Sequence, residues 1–524
     1  MSQEKANVTP DGGMNRAKMY QLALFPMNNG ATNVYFILTL NFLANYGSGV
    51  LGLLAIFVTV MQTVMRLFDA VTDPIIGALI DKTNTKIGKF RPYMILGNVI
   101  LAVSSILMYF GIRVVPDDML WLRYTLFVLF YMLYVIGYTF QTACTRSGQA
   151  CLTNDPNQRP MFTIFNKIAS LIGMGLVQFL APILGKQVGG YNQGTFYDIM
   201  IPMAIIVSAL LTILAVIGIA KKDNEKYFGL GGKQEKVKFK EYIAILKENK
   251  ELQKLMVAGA SGKLAFSLAT QTAVLCMLYG AMMKNYDGLF LPMMVLGYVF
   301  SVPFFALTVR TSQKHGQSVS LVRFTTVALI MYVAVFVLLC LWDPNNPATQ
   351  LSLYTISESG FSISLNWYTI LFVIFFGLGY GAYYTTADMP IPMVADCSDY
   401  ETYRSGKYVP GIMGTLFSLV DKLASAFSAT ILGIALLCIG INTMPDQYTP
   451  YAEGMNIVVI VSFCVAPMLA WILTLIAMRS YKLTGPKMKE IQAINLKRKE
   501  AIEAGMSMEE AMAKYVTLED IEKK

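Results

Sequence analysis

Twelve apolar runs, each long enough to cross a bilayer, constrain this chain more than any other feature. They lie near residues 20–46, 50–79, 93–115, 121–148, 162–187, 199–220, 252–283, 289–311, 318–342, 366–395, 410–440 and 454–480. A helix needs about 20 apolar residues to span the hydrocarbon core, whereas a barrel strand needs about 9–11 residues of alternating character. The runs do not alternate, and a single helix satisfies its own backbone hydrogen bonds in lipid. The expected fold class is therefore an all-α membrane protein of twelve transmembrane helices. Composition agrees. Of the 524 residues, 55% are hydrophobic and 14% are charged, against about 25% charged in a soluble domain. Disorder requires the opposite balance, few apolar residues and high net charge.

The remaining charge predicts orientation. Basic residues concentrate in the N-terminus (Lys5, Arg16, Lys18), the 81–92 loop (Lys82, Lys86, Lys89, Arg91), the 221–251 loop, the 310–323 loop and the tail. Basic-poor loops near 47–49, 186–198, 284–288, 343–365 and 441–453 alternate with them. By the positive-inside rule both termini are expected in the cytoplasm. The net charge of +9 is then a matter of topology, and no nucleic-acid partner is expected. The longest polar interruption, at 221–251, divides six runs from six, the layout of the major facilitator fold. The expected organisation is a cytoplasmic N-terminus (1–19), an N-terminal six-helix half (20–220), a central cytoplasmic loop (221–251), a C-terminal six-helix half (252–480) and a helical cytoplasmic tail (481–524). In the tail, Ser507 and Glu510 form a candidate capping box.

Enzymatic chemistry finds little material. The single histidine, His315, leaves no His-based metal site or Ser-His-Asp arrangement. The seven cysteines are scattered through apolar stretches without a CxxC, as small core residues are. No enzyme activity and no cofactor are expected.

Function is then sought among the ionisable residues inside apolar runs, since each costs about 2.5–3.5 kcal/mol to insert and persists mainly where it pairs, faces a cavity or binds a ligand. Asp69 and Asp73 are one helical turn apart on one face, with Arg66 on the same stripe. Two such carboxylates can replace the hydration oxygens of a small cation, with Thr72 or a backbone carbonyl freed near Pro74 completing the shell, or share a proton. A structural Arg–Asp cluster is the competing reading. Asp421 and Lys422 lie midway along the eleventh run. Asn28, Asn29 and Asn33 on the first run suit either sugar hydroxyls or interhelical hydrogen bonds. Thr139, Gln141, Thr142, Arg146 and Gln149 on the fourth run, and Asn166 and Lys167 on the fifth, form another polar set. Lys263 and Asp388 each stand alone in apolar sequence. Tyr380, Tyr383 and Tyr384 are packing residues or a sugar-stacking surface.

Two segments carry a family resemblance. One runs Asp69-Ala70-Val71-Thr72-Asp73-Pro74 to Gly88-Lys89-Phe90-Arg91-Pro92. The other runs Val394-Ala395-Asp396-Cys397-Ser398-Asp399-Tyr400-Glu401 to Asp421-Lys422. Together they resemble the glycoside–pentoside–hexuronide:cation symporters of the major facilitator superfamily. The resemblance implies import of a sugar coupled to Na+, Li+ or H+. It also implies a cation site at Asp69 and Asp73 with Thr139 nearby, and Lys422 set against that site. Thr72 replaces an asparagine of the family pattern. On the sugar side the family's carboxylates and arginine become Asn28, Thr142 and Asn166, and an aromatic becomes Arg146. Arg146 with Lys263 or Lys167 suits an anionic glycoside such as a hexuronide; neutralisation of Arg146 by Asp388 would instead restore a neutral-sugar pocket.

The expected protein is thus a multi-pass cell-membrane symporter whose partners are a sugar or glycoside, a coupling cation and the lipid bilayer. The cation site is Asp69, Asp73, Thr139 and Thr72, the coupling residues are Lys422 and Arg66, and the substrate residues are Asn28, Thr142, Arg146, Asn166, Lys263, Asp388 and Tyr384. The competing readings are an uncoupled facilitator or lipid or drug transporter on the same fold, and a membrane receptor or scaffold acting through its tail.

Overall fold

The computed structural model describes residues 16–83, 85–153, 158–224, 246–357, 360–387, 389–406 and 410–522. Most of the expected central loop, together with Asp388, lies outside the described residues. The chain divides into two compact units, residues 1–235 with 436–448, and residues 236–435 with 449–524. Among the described residues, ten helices are long and apolar enough to cross a membrane, and a bent pair makes eleven.

In the first unit the helices are α1 (Met27–Asn45), α2 (Ala55–Lys82), α3 (Arg91–Ile106), α4 (Leu120–Leu152), α5 (Gln158–Val188) and α6 (Gly194–Ile219). The first apolar run does form helix, in α1 and the short Met19–Leu24, but it is not among the ten. Its asparagines Asn28, Asn29, Asn33, Asn41 and Asn45 lower its apolarity. It packs on α5 and α6 through a close backbone approach. A Cβ on Gly173 would come within 2.1 Å of the Gly30 carbonyl oxygen, so small residues permit the contact. α2 and α3 both pack on α4.

A buried carboxylate fastens the start of α3. Asp223 is fully buried. It accepts from the backbone amides of Lys89 at 2.8 Å, Phe90 at 3.1 Å and Arg91 at 2.9 Å, and from Arg91 Nε at 3.3 Å. These are donors that a helix start leaves open, and a negative charge there also suits the helix dipole. Gly88 has φ +119°, and a Cβ on it would sit 2.3 Å from Asp223 Oδ2. The Gly88-Lys89-Phe90-Arg91-Pro92 segment is therefore a cradle for this carboxylate, and Pro92 occupies a first-turn position where no amide is needed.

Residues 436–448 also belong to the first unit. Asn45 Nδ2 donates to the Pro445 carbonyl at 3.1 Å, and the Met444 amide donates to Ser48 Oγ at 2.9 Å. Asn192 donates to the Met444 carbonyl from Nδ2 and to Asp446 Oδ2 from its amide. Met444, Asp446 and Gln447 are buried there.

The second unit contains α7 (Lys250–Ala269), α8 (Tyr286–His315), α9 (Gln317–Cys340), α10 (Trp367–Thr386), α11 (Pro390–Ser405), α12 (Pro410–Cys438), α13 (Ala466–Arg479) and two tail helices, α14 (Gly485–Glu503) and α15 (Met508–Lys514). Three expectations are corrected. The seventh run is not one straight helix: α7 and Thr272–Met282 meet at 44°. The tenth run ends at Thr386, and α11 begins at Pro390. Pro390 and Pro392 cannot donate to the preceding turn, which separates the two helices. The loop 343–365 carries an antiparallel hairpin, β1 (Tyr354–Ser357) and β2 (Gly360–Ile363), with Tyr354 opposite Ile363.

The tail is not a free soluble appendage. Met488, Ile491 and Ile494 of α14 are buried, the first two in a cluster with Met393 and Cys397 of α11. Arg498 lies with its guanidinium 5.0 Å from the Tyr403 ring centroid and donates to the Tyr403 and Tyr515 carbonyls at 2.7 and 2.9 Å. The capping box is present at α15, where the Glu510 amide donates to Ser507 Oγ and the Ser507 amide to Glu510 Oε2.

Candidate functional site

Helices α2 and α4 of the first unit gather six of the expected site residues: Arg66, Asp69, Thr72 and Asp73 of α2, and Thr139 and Arg146 of α4. Asp69, on α2, is 1% exposed. Its Oδ1 accepts from Thr139 Oγ1 of α4 at 2.7 Å. Thr139 also donates to the Val135 carbonyl one turn back, and its hydroxyl lies 3.3 Å from Thr72 Oγ1. Thr72 in turn reaches the Asp69 carbonyl at 3.1 Å. The result is a cluster of hard oxygen atoms, carboxylate and hydroxyl, of the kind that suits small hard cations.

Each carboxylate has an arginine beside it. Arg66 Nη1 stands 3.9 Å from Asp69 Oδ2. Its guanidinium is held by the rings of Phe36 at 5.0 Å and Tyr138 at 5.4 Å, a cation–π arrangement. Arg146 Nη1 stands 3.5 Å from Asp73 Oδ2, with the two side chains 53% and 25% exposed. The expectation that Arg146 faces the substrate is therefore revised: its partner is a carboxylate of the candidate cation site. The sequence does not reveal this, because Asp73 and Arg146 meet only through the packing of α2 on α4.

Other expected residues fall elsewhere. Asn28 is fully buried and donates to the Gln141 carbonyl at 2.8 Å and Thr145 Oγ1 at 2.7 Å. That is the interhelical reading for the amide nitrogen, while the buried Asn28 Oδ1 has no hydrogen-bond partner among the described residues. Gln141 likewise ties helices together, donating to the Met94 carbonyl and Thr212 Oγ1. Thr142 is half-buried and donates to the Thr139 carbonyl. Asn166 is half-buried on α5, and its carbonyl accepts from Asn29 at 3.3 Å. In the second unit Lys263 is not alone: its Nζ lies 3.7 Å from Asp421 Oδ2. Lys422 is half-buried on α12. Tyr384 stacks on Tyr380 with centroids 5.5 Å apart and meets Tyr298 edge-on at 5.5 Å.

One group was missed. Tyr131, Tyr134 and Tyr138 of α4, with Thr39, Met65 and Val135, line a small cleft that includes Arg66. Their i, i+3, i+7 spacing places them on one helix face, and that signal is readable in the sequence.

The geometry joins a comparison with known proteins. Residues 25–485 match the MFS/sugar transport protein family. The chain belongs to that family. This transporter is 23% identical over 485 residues to the "Putative glycoside/cation symporter YagG" of Escherichia coli, covering 88% of this chain and 92% of the relative. It is 26% identical over 225 residues to the lactose permease of Leuconostoc lactis, covering 40% of this chain; the match spans about a third of that relative, 35%. Its fold is that of the nucleoside transporter NupG, with a TM-score of 0.55 at 10% identity over 87% of this chain and 98% of that one. The transporter is thus a sugar-transport-type protein of the major facilitator superfamily, and not an enzyme.

Proposed function

We propose that the transporter imports a sugar or glycoside across the cell membrane by alternating access, coupled to Na+, Li+ or H+, with both termini cytoplasmic. Asp69, Asp73, Thr72 and Thr139 supply the oxygens that hold the ion, and Arg66 and Lys422 couple its presence to the transport cycle. The observation that carries the reading is the 2.7 Å Thr139–Asp69 hydrogen bond, which sets carboxylate and hydroxyl oxygens together within apolar helices. Symport requires that ion and sugar each raise the other's affinity. Thr142, Asn166 and Tyr384 are the substrate residues that this reading retains. With Arg146 engaged by Asp73, they favour a neutral sugar; a hexuronide would require that guanidinium to be released.

The test is uptake into proteoliposomes of a panel of neutral and anionic glycosides, driven by a sodium, lithium or proton gradient. Concentrative uptake that collapses with the matching ionophore, and is lost in Asp69→Asn and Asp73→Asn, supports the reading. Gradient-independent equilibration in the unsubstituted protein sinks it. A second reading, an uncoupled facilitator, is favoured by one observation: an arginine beside each carboxylate balances the cluster's charge without an ion. The same ionophore experiment separates the two.

A further inference from the structure

We propose that Arg146 is a tethered substitute for the coupling ion: its guanidinium neutralises Asp73 while the site is empty and is displaced when Na+ or Li+ enters. The proposal rests on the reading of Asp69 and Asp73 as the ion site.

The two arginines of the cluster are held differently. Arg66 is 15% exposed and has the rings of Phe36 and Tyr138 against its guanidinium, so leaving would cost it both contacts. Arg146 is 53% exposed, and its Nη1 is 3.5 Å from Asp73 Oδ2. That distance is longer than the roughly 2.7–2.9 Å of a strong charge-assisted hydrogen bond. An exposed guanidinium at such a distance, on a long flexible stem, is an attraction that a competing ion can replace. Arg66 is a fixture of the site and Arg146 is its exchangeable member.

Charge balance gives the exchange its direction. Asp73 and Arg146, the pair that exchanges, sum to zero. A monovalent ion added beside Arg146 would leave a net positive cluster, and like charges in a poorly solvated site repel. Release of Arg146 toward solvent restores neutrality around the carboxylates. Removal of Arg146 without replacement would take a countercharge from Asp73, which is costly in an apolar surround. The device therefore lets the empty protein avoid that state, and it sets ion affinity by competition. Thr139 and Thr72 are near enough to Asp69 to add oxygens for the ion but carry no charge for Arg146 to follow.

The test titrates the thermal unfolding midpoint of purified protein with NaCl and with LiCl, ionic strength being held constant with choline chloride. Arg146→Gln and Arg146→Met remove the competing charge, and both are expected to lower the half-saturating ion concentration about tenfold. Arg146→Lys keeps a charge on a flexible stem and is expected to stay within about threefold of the unsubstituted protein. An unchanged or raised half-saturating concentration in both Gln and Met variants, with ion stabilisation abolished by Asp73→Asn, overturns the proposal and leaves the ion site standing. Absence of Na+ and Li+ stabilisation in the unsubstituted protein overturns the proposal, and its persistence in both Asp69→Asn and Asp73→Asn overturns the site assignment and the proposal with it.

Discussion

Asp223 and Asp69 are both buried carboxylates of the first unit, yet they are held by opposite kinds of partner. Asp223 lies on three consecutive backbone amides at the start of α3. Those donors cannot turn away without unwinding the helix. Asp69 meets a hydroxyl, which rotates, and a guanidinium 3.9 Å away. A carboxylate bound by backbone is a fastening, whereas one bound by side chains can change its partner. Burial alone does not distinguish them, because both are essentially inaccessible.

The largest effect expected from breaking this contrast is on transport. Asp69→Asn should abolish ion-driven accumulation, by about a hundredfold or more, since the amide retains the shape but not the charge that attracts the ion. Its unfolding midpoint in detergent should change little. Next is Asp223→Ala, which leaves amides and the Arg91 side chain without their acceptor. It should cost about 3–5 kcal/mol of stability, read as a lower midpoint or as loss of folded protein on purification. An Asp223→Ala protein as stable as the original would erase the distinction. Thr139→Val should weaken ion affinity about tenfold, as loss of a supporting contact to an ion ligand does, while lowering stability by about 1 kcal/mol.

The last expected effect, read only as a slope against pH, concerns a third carboxylate. Asp396 of α11 is pushed up to about 6 from 3.8 by burial and by the neighbouring Asp399. The folded chain then holds a proton there at pH values where the unfolded chain has released it. Stability should therefore fall as pH rises from about 4 to about 6, and the fall should cease above that window. Asp396→Asn should flatten this part of the midpoint-versus-pH curve; an unaltered slope counts against the assignment.

How legible each region is from sequence follows from the same contrast. Asp69 and Asp73 stand out because a charge in an apolar run has few innocent explanations. Asp223 does not, because it follows Lys221 and Lys222 in a polar stretch where one more charge attracts no notice. Only the Gly88–Pro92 segment hints that something must fill its cradle. The Arg146–Asp73 and Lys263–Asp421 pairs are tertiary, each joining helices far apart in the chain, so periodicity could place a residue on a face but could not name its partner. The existence of the helices follows directly from apolar length. Their breaks do not: hydropathy runs smoothly into Pro390, where the missing amide ends α10. The docking of α14 on α11 is not legible in the sequence, because buried Met488, Ile491 and Ile494 sit among charged neighbours that make the segment look wholly solvated.

The hydrogen bonds that seat residues 436–448 in the first unit also bear on how the protein is made. Asn45, Ser48 and Asn192 emerge from the ribosome early, but Met444 and Pro445, which they bind, follow 252 to 400 residues later. At about 5–20 residues per second that delay is on the order of 10–80 s. The first unit must wait through the synthesis of most of the second before it can close. Chains stalled or truncated before residue 436 would present an unfinished N-terminal unit, with buried amides still lacking their acceptors, to the machinery that inspects new membrane proteins.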